Sequence, residues 1–276
     1  MALKFRETRR LCSKSKLPAS DYVINPYLGC THRCRYCYAS FMGRFSGHKE
    51  PWGSYLEPRS YQSMSLPRDL AGKTILIGSV TDPYNPAEAG CRLMPGILAA
   101  LKGCAAHVEI LTKSALVLRD IQAIRAVPDI SVGLSLSNLR QEDNDVIEPG
   151  ASPAGERLEA LRALHRAGVG TFLFIAPYLP GLTRLDELAQ AAEGAADYIC
   201  VENLNLRGSY KKEMLELMGR LHPELSGLYR EIYCGSGAEE YWREVEGEID
   251  RLRQTCAVPV RSYLYHEKIK KGAKAQ

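Results

Sequence analysis

No stretch of the 276 residues approaches the ~18 consecutive apolar positions that a membrane helix needs. One of the longest apolar runs, Thr171 to Ala176, is strand-sized. The basic start (Lys4, Arg6, Arg9, Arg10) is followed by no apolar segment, so it does not read as a secretory signal. There is no internal repeat and no low-complexity tract. A P-loop, paired metal histidines at helical spacing and a nucleophile elbow are all missing, which leaves those chemistries without support. The excess of one charge sign over the other is also small: a net +4 permits a polyanionic partner without requiring one. What is present is 45% hydrophobic residues, enough for a large core and too many for a disordered chain. Nine cysteines cannot all pair within one chain, and with no export signal they point to a reducing, cytoplasmic setting.

A strand-then-helix rhythm runs along the chain. Short β-branched or aliphatic runs predict strands at Tyr22 to Asn25, Thr74 to Ser79, His107 to Thr112, Ile130 to Ser137, Thr171 to Ala176 and Tyr198 to Glu202. Their near-continuous apolar character suits parallel strands covered on both faces. Helical stripes lie between them, such as Ile97, Leu98 and Leu101, or Leu158, Leu161 and Leu164. About six such units predict an α/β fold, a partial (β/α)6 barrel of parallel strands. An amphipathic helix over Gly237 to Cys256 follows, with an extra strand at Val258 to Tyr265. The organisation expected is a basic, frayed N-terminal extension over 1–20 and a core over 21–225. A C-terminal helical extension over 226–276 ends in a basic tail (Lys268, Lys270, Lys271, Lys274). Within the core, 43–67 is expected to be an irregular insertion packed by its own aromatics or facing substrate.

Chemistry in such a barrel belongs at the C-terminal strand ends. The first of these carries Cys30-Thr31-His32-Arg33-Cys34-Arg35-Tyr36-Cys37. Three cysteines on one tight loop are near enough to serve a single metal centre. Structural zinc sites want four protein ligands, usually as two separated pairs. A cubane iron–sulfur cluster also takes four ligands, so three cysteines would leave one iron open to a non-protein ligand. A zinc loop or buried free thiols is the alternative reading. His32 is expected on the solvent side, and Arg157, early in a helix, is read either as a carboxylate partner or as exposed.

The spacing of three residues and then two, with Tyr36 before the last cysteine, resembles the signature of the radical S-adenosylmethionine (SAM) superfamily. Asn25-Pro26-Tyr27-Leu28-Gly29-Cys30 through Cys37-Tyr38-Ala39 resembles a narrower group, the spore photoproduct lyase-like proteins. Thr81-Asp82-Pro83-Tyr84, Thr112-Lys113-Ser114, the Ser135 strand end and Glu148-Pro149 with Arg157 fit that group too. The resemblance implies that Cys30, Cys34 and Cys37 hold a [4Fe-4S] cluster whose open iron chelates SAM. Reduction then cleaves SAM to a 5′-deoxyadenosyl radical. It implies that Tyr36 lies against the adenine, that Thr81 and Asp82 sit beside the site, and that Lys113 and Ser135 contact the SAM carboxylate and ribose. Tyr38 matches a tyrosine that relays a hydrogen atom. The chain departs from the lyase at Val80, where the lyase has its hydrogen-donating cysteine, so repair by the lyase's own route is in doubt. Cys91 or Tyr84 are substitutes the sequence does not itself support.

The implied function is a radical SAM enzyme, lyase-like or modifying, fed by a flavodoxin- or ferredoxin-like one-electron reductant. Its substrate would be a nucleic acid or nucleotide, with a peptide or small metabolite as the alternative. A non-catalytic iron–sulfur or zinc-binding protein is the reading of another class.

Overall fold

The structure, a computed structural model, describes residues 4–207 and 210–264. Strands are numbered in chain order: β1 Arg6–Thr8, β2 Ser13–Lys14, β3 Tyr22–Ile24, β4 Tyr27–Gly29, β5 Leu56–Tyr61, β6 Thr74–Ile77, β7 His107–Thr112, β8 Ile130–Ser135, β9 Gly170–Tyr178, β10 Tyr198–Asn203 and β11 Val260–Ser262. The main sheet runs β11-β10-β9-β8-β7-β6-β3-β2. Neighbours from β3 through β11 pair in parallel, and two-residue β2 closes one edge antiparallel. The six expected strands are therefore all present and form the partial barrel. The extra strand adds at its far edge; Tyr265 and the basic tail lie outside the described residues.

The period of two sorts the strand residues. Ile75, Ile77, Val108, Ile110, Val132, Leu134, Leu173, Ile175, Ile199 and Val201 enter one core with the helices. The α-helices are α1 Gly43–Ser46, α2 Glu88–Cys91, α3 Leu93–Leu101, α4 Ile121–Arg125, α5 Gln141–Ile147, α6 Ala154–Arg166, α7 Leu185–Ala192, α8 Tyr210–Leu221, α9 Ser226–Cys234 and α10 Ala238–Thr255. Of these α3, α6, α7 and α10 enter that core, and Trp242, Val245, Ile249 and Leu252 of the α10 stripe are buried as expected. The alternate residues, among them Glu109, Gly133, Ser135, Phe172, Phe174, Tyr198, Cys200 and Glu202, face the concave side. At its N-terminal end that side is filled. Phe172 stacks on Tyr198 at 5.0 Å, and the Arg261 guanidinium lies 3.6 Å from the Tyr198 ring centroid. A Cβ on Gly133 would overlap the Phe172 ring, so glycine makes the room.

Two expectations need correction. The N-terminal segment is not frayed where it is described: β1 pairs with β5 and β2 with β3. Nor is 43–67 irregular throughout. It holds a helical turn, α1 Gly43–Ser46, and β5, the central strand of a second sheet of order β1-β5-β4. Non-local pairing drives β5, because its Pro58 and mixed composition carry little strand propensity. This sheet buttresses the cysteine loop, which leaves β4 directly.

No helix among the described residues is long and apolar enough to cross a membrane.

Candidate functional site

The loop after β4 carries the three cysteines. Arg35 N donates to Ile147 O at 2.9 Å, and Gly150 N donates to His32 O at 2.9 Å, so the loop is clamped to the chain after α5 Gln141–Ile147. A Cβ at Gly150 would stand 2.6 Å from both His32 Cα and Thr31 O. Gly150→Ala is therefore expected to push the loop outward, at an overpacking cost of about 1–3 kcal/mol. Iron bound per chain after reconstitution should fall to less than half of wild type while far-ultraviolet circular dichroism is unchanged.

Burial pushes all three thiols up, Cys30 to about 12 with Asp82 adding to the rise, and Cys34 with Glu148 adding to it. Backbone N–H groups oppose this: those of Asp82 and His32 reach the Cys30 sulfur, and those of Ala39 and Ser40 reach Cys37. Trp52 donates to Cys37 as well. Trp52 sits edge-on to Tyr55 at 5.9 Å, and Tyr55 stacks on His48 at 3.9 Å, so the 48–55 segment packs by its own aromatics. Cys34, Tyr36 and Cys37 keep solvent-accessible surface although protein encloses them on most sides, as groups lining a concavity do. Among the described residues, no three His, Cys, Asp or Glu side chains converge as ligands of one ion would. The thiols still act electrostatically on one another. Corners of an iron cube lie farther apart than ligands of one ion, and cluster sulfurs are held by N–H donors of this kind, so the donor set suits a cluster better than a single zinc.

His32 is the reverse of the solvent-side residue expected. It is buried, with Nδ1 3.3 Å from Asp82 Oδ2 and no hydrogen-bond partner for Nε2. Asp82, after β6, is spent on the protein: it accepts from Thr112 Oγ1 at 2.6 Å, Lys113 N at 2.7 Å and Tyr84 N at 2.9 Å. Burial alone would raise its pKa, but His32 foremost, then Thr112 and Lys113 N, hold it near 2. A carboxyl depressed when folded contributes stability that is full above the ordinary value near 4 and lost as pH falls toward 2. The stability advantage of wild type over Asp82→Asn, read by urea unfolding of the metal-free protein, should shrink by about 2 kcal/mol from pH 5.5 to pH 2. Thr81 Oγ1 donates to Gly29 O at 2.7 Å and so ties the second strand end to the cysteine loop. Asn25 does the same for Ser79 and Val80.

Lys113 and Ser135, from adjacent strand ends, meet: Nζ to Oγ is 2.6 Å. Lys113 also lies 3.7 Å from Glu148 Oε1 and 5.8 Å from the Tyr36 ring centroid. Tyr36 OH donates to Glu148, and Arg157 Nη1 reaches Glu148 Oε2 at 2.7 Å. Arg157 is 1% exposed and also donates to the carbonyls of Ser135 and Ser152, which corrects the exposed alternative. Arg157 and then Lys113 outweigh burial and keep Glu148 ionised. Glu148 is the residue that sequence reasoning left without a role; its signal was the need of a buried arginine for a carboxylate. Tyr38 stands apart from this cluster. It is 48% exposed, its hydroxyl donates to Ser79 O, and Glu202 is among the groups acting on it. Tyr84 is packed in the main core and Cys91 neighbours Tyr27, so neither substitute is supported.

Comparisons with known proteins identify the family. The family model described as the radical SAM superfamily matches residues 24–193. An uncharacterized protein of Methanocaldococcus jannaschii is 31% identical over 219 residues, 79% of this chain and 83% of its own. An uncharacterized protein of Mycobacterium tuberculosis is 34% identical over 228 residues, 77% of this chain and 67% of its own. Among solved structures, spore photoproduct lyase complexed with dinucleoside spore photoproduct superimposes with TM-score 0.55 at 19% identity, over 77% of this chain. The chain spans 63% of that lyase, under two thirds of its length, and the likeness is one of fold. With a family match over more than half of its length and relatives above 30% identity along most of it, the chain belongs to the radical SAM superfamily.

Proposed function

We propose that the protein is an enzyme that holds a [4Fe-4S] cluster on Cys30, Cys34 and Cys37 and cleaves SAM reductively to act on a nucleic acid or nucleotide. The convergence of Lys113, Ser135, Tyr36 and Glu148 beside the three thiols carries this reading. When bound, cluster and SAM together supply a 5′-deoxyadenosyl radical that abstracts hydrogen from substrate.

The chain's own residues bind and orient. Lys113 presents an ammonium suited to a carboxylate and Ser135 a hydroxyl suited to a ribose. Glu148 fixes both Lys113 and Tyr36, and Arg157 fixes Glu148. Tyr36 offers a ring face for an adenine. Thr81 and Asp82 brace the cysteine loop from the second strand end. Tyr38, exposed and near Glu202, is placed to exchange a hydrogen atom with whatever enters the concave side. The filled N-terminal end keeps water from reaching the reacting atoms from below. The nucleic-acid class rests on the lyase structures, one of them described with bound AdoMet and dinucleoside spore photoproduct. Val80 is no hydrogen donor, so that lyase's closing step is not carried over. All nine cysteines are free, which supports a reducing, cytoplasmic setting.

Anaerobic reconstitution tests this. Four irons per chain, a cluster spectrum altered by SAM, and 5′-deoxyadenosine after dithionite reduction are expected. Deuterium from a labelled oligonucleotide should appear in that product. One zinc per chain and no deoxyadenosine would overturn the reading.

A further inference from the structure

Five large hydrophobic side chains are conspicuously exposed among the described residues: Phe5, Tyr38, Phe41, Phe45 and Met64. Three of them fall between residues 38 and 45, in the two helical turns that follow Cys37. Leaving Tyr38 to the site, Phe41 is 42% and Phe45 is 68% exposed. The backbone that carries these rings is helical. Cys37 caps the turn Tyr38–Met42, α1 continues it, and α1 packs on β4 of the small sheet. Exposed aromatics on helical turns, with the Arg44 guanidinium 5.9 Å from the Phe45 ring centroid, have the composition of an interface.

The same stretch is cationic. Arg33 and Arg35 flank Cys34 on the loop itself, and Arg44 and Lys49 border the two phenylalanines. All four are exposed, and none makes an ion pair among the described residues. The nearby carboxylate Glu50 faces His48 Nδ1 at 3.3 Å, and Glu57 takes Arg6 at 2.5 Å. Arg33 is held at φ 57°, an uncommon conformation for a side-chain-bearing residue, which turns it outward over Gly53. Four exposed positive charges outside any ion pair, in the stretch that carries these rings, would repel a basic partner and attract an acidic one.

We infer that Phe41 and Phe45, together with Arg33, Arg35, Arg44 and Lys49 of the same stretch, form the docking surface for an acidic one-electron carrier protein that reduces the cluster. The inference rests on the cluster reading above. Electron tunnelling weakens exponentially with distance, so a carrier must dock close to the cysteine loop, and Phe41 stands four residues beyond its last cysteine, with its ring stacked on Tyr38 at 6.4 Å. One electron leaves the carrier's flavin or iron–sulfur centre, which is oxidised by one unit, and enters the cluster, which is reduced by one. No bond forms and no proton moves.

The test uses the reconstituted holoprotein and flavodoxin hydroquinone as the carrier. The variant is Phe45→Ser/Arg44→Glu/Lys49→Glu, which leaves the cysteine loop and the site intact. With dithionite, variant and wild type should form 5′-deoxyadenosine at equal rates. With flavodoxin, the variant should be at least tenfold slower, and the wild-type rate should fall with added salt. Calorimetric binding of flavodoxin should weaken by a similar factor; it reports on docking without SAM cleavage. Equal flavodoxin-driven rates and equal flavodoxin binding in the two proteins would overturn the docking surface. So would loss of oligonucleotide binding with flavodoxin binding retained, which would assign the patch to nucleic acid. Failure of wild type with dithionite, with flavodoxin binding still sensitive to the variant, would overturn the cluster-and-SAM reading while leaving the surface standing.

Discussion

Cys34→Ala should abolish the broad visible absorption of the reconstituted protein and bring 5′-deoxyadenosine formation down to background. Cys34 lies midway along the loop, between the other two sulfurs in sequence, and is pressed toward the neutral thiol: burial and the Glu148 carboxylate both disfavour its ionised form. Iron binding must overcome that bias, and once the sulfur is gone the loop carries no further cysteine to replace it. Stability should tell the opposite story. Cys34 is half-buried, and replacing its sulfur by hydrogen in the metal-free protein costs about 1 kcal/mol or less. A metal-free melting temperature within a few degrees of wild type, beside a colourless and inactive reconstituted protein, is the expected pair of results. A brown, SAM-cleaving Cys34→Ala protein would refute the ligand assignment.

Arg157→Leu is expected to be the most destabilising single change near the site. The side chains of Arg157 and Glu148 are each 1% exposed and 2.7 Å apart. Removing one partner of such a pair leaves a buried charge uncompensated, at about 3–5 kcal/mol. Two donated bonds to the Ser135 and Ser152 carbonyls go with it. Lys113, 3.7 Å away, is then the nearest cation to Glu148 and is drawn from Ser135 toward it. SAM affinity should therefore drop about tenfold, equivalent to ~1.4 kcal/mol, in excess of any unfolding. The double variant Arg157→Leu/Glu148→Gln should regain part of the stability, because the stranded charge is gone. It should not regain SAM affinity, because the hold on Lys113 and Tyr36 is gone too. Urea unfolding and equilibrium dialysis with SAM measure the two effects separately.

These residues also mark where sequence reading stops. The barrel strands were legible because each is a compact apolar run, and α10 because its stripe repeats at helical spacing. The cysteine loop was legible because its chemistry lies within eight residues. Arg157 was only half so. It stands four residues before Leu161 and seven before Leu164, on the stripe that turns inward, yet a guanidinium there argues against burial until its carboxylate is found nine residues away. β5 was hidden because its stability comes from β1 and β4, each distant in the chain. The burial of His32 and the approach of Trp52 to Cys37 likewise depend on contacts made by other segments, Asp82 for the first and the 48–55 aromatics for the second.

The stack of Arg261, Tyr198 and Phe172 over Gly133 makes the barrel a cul-de-sac. If the proposed reaction holds, reagents and spent products would share the doorway at the strand ends, so a substrate too bulky to pass beside a seated nucleotide would have to arrive first or present just one protruding group across the threshold. Traffic through that doorway, rather than bond breaking, then becomes the natural place for turnover to stall.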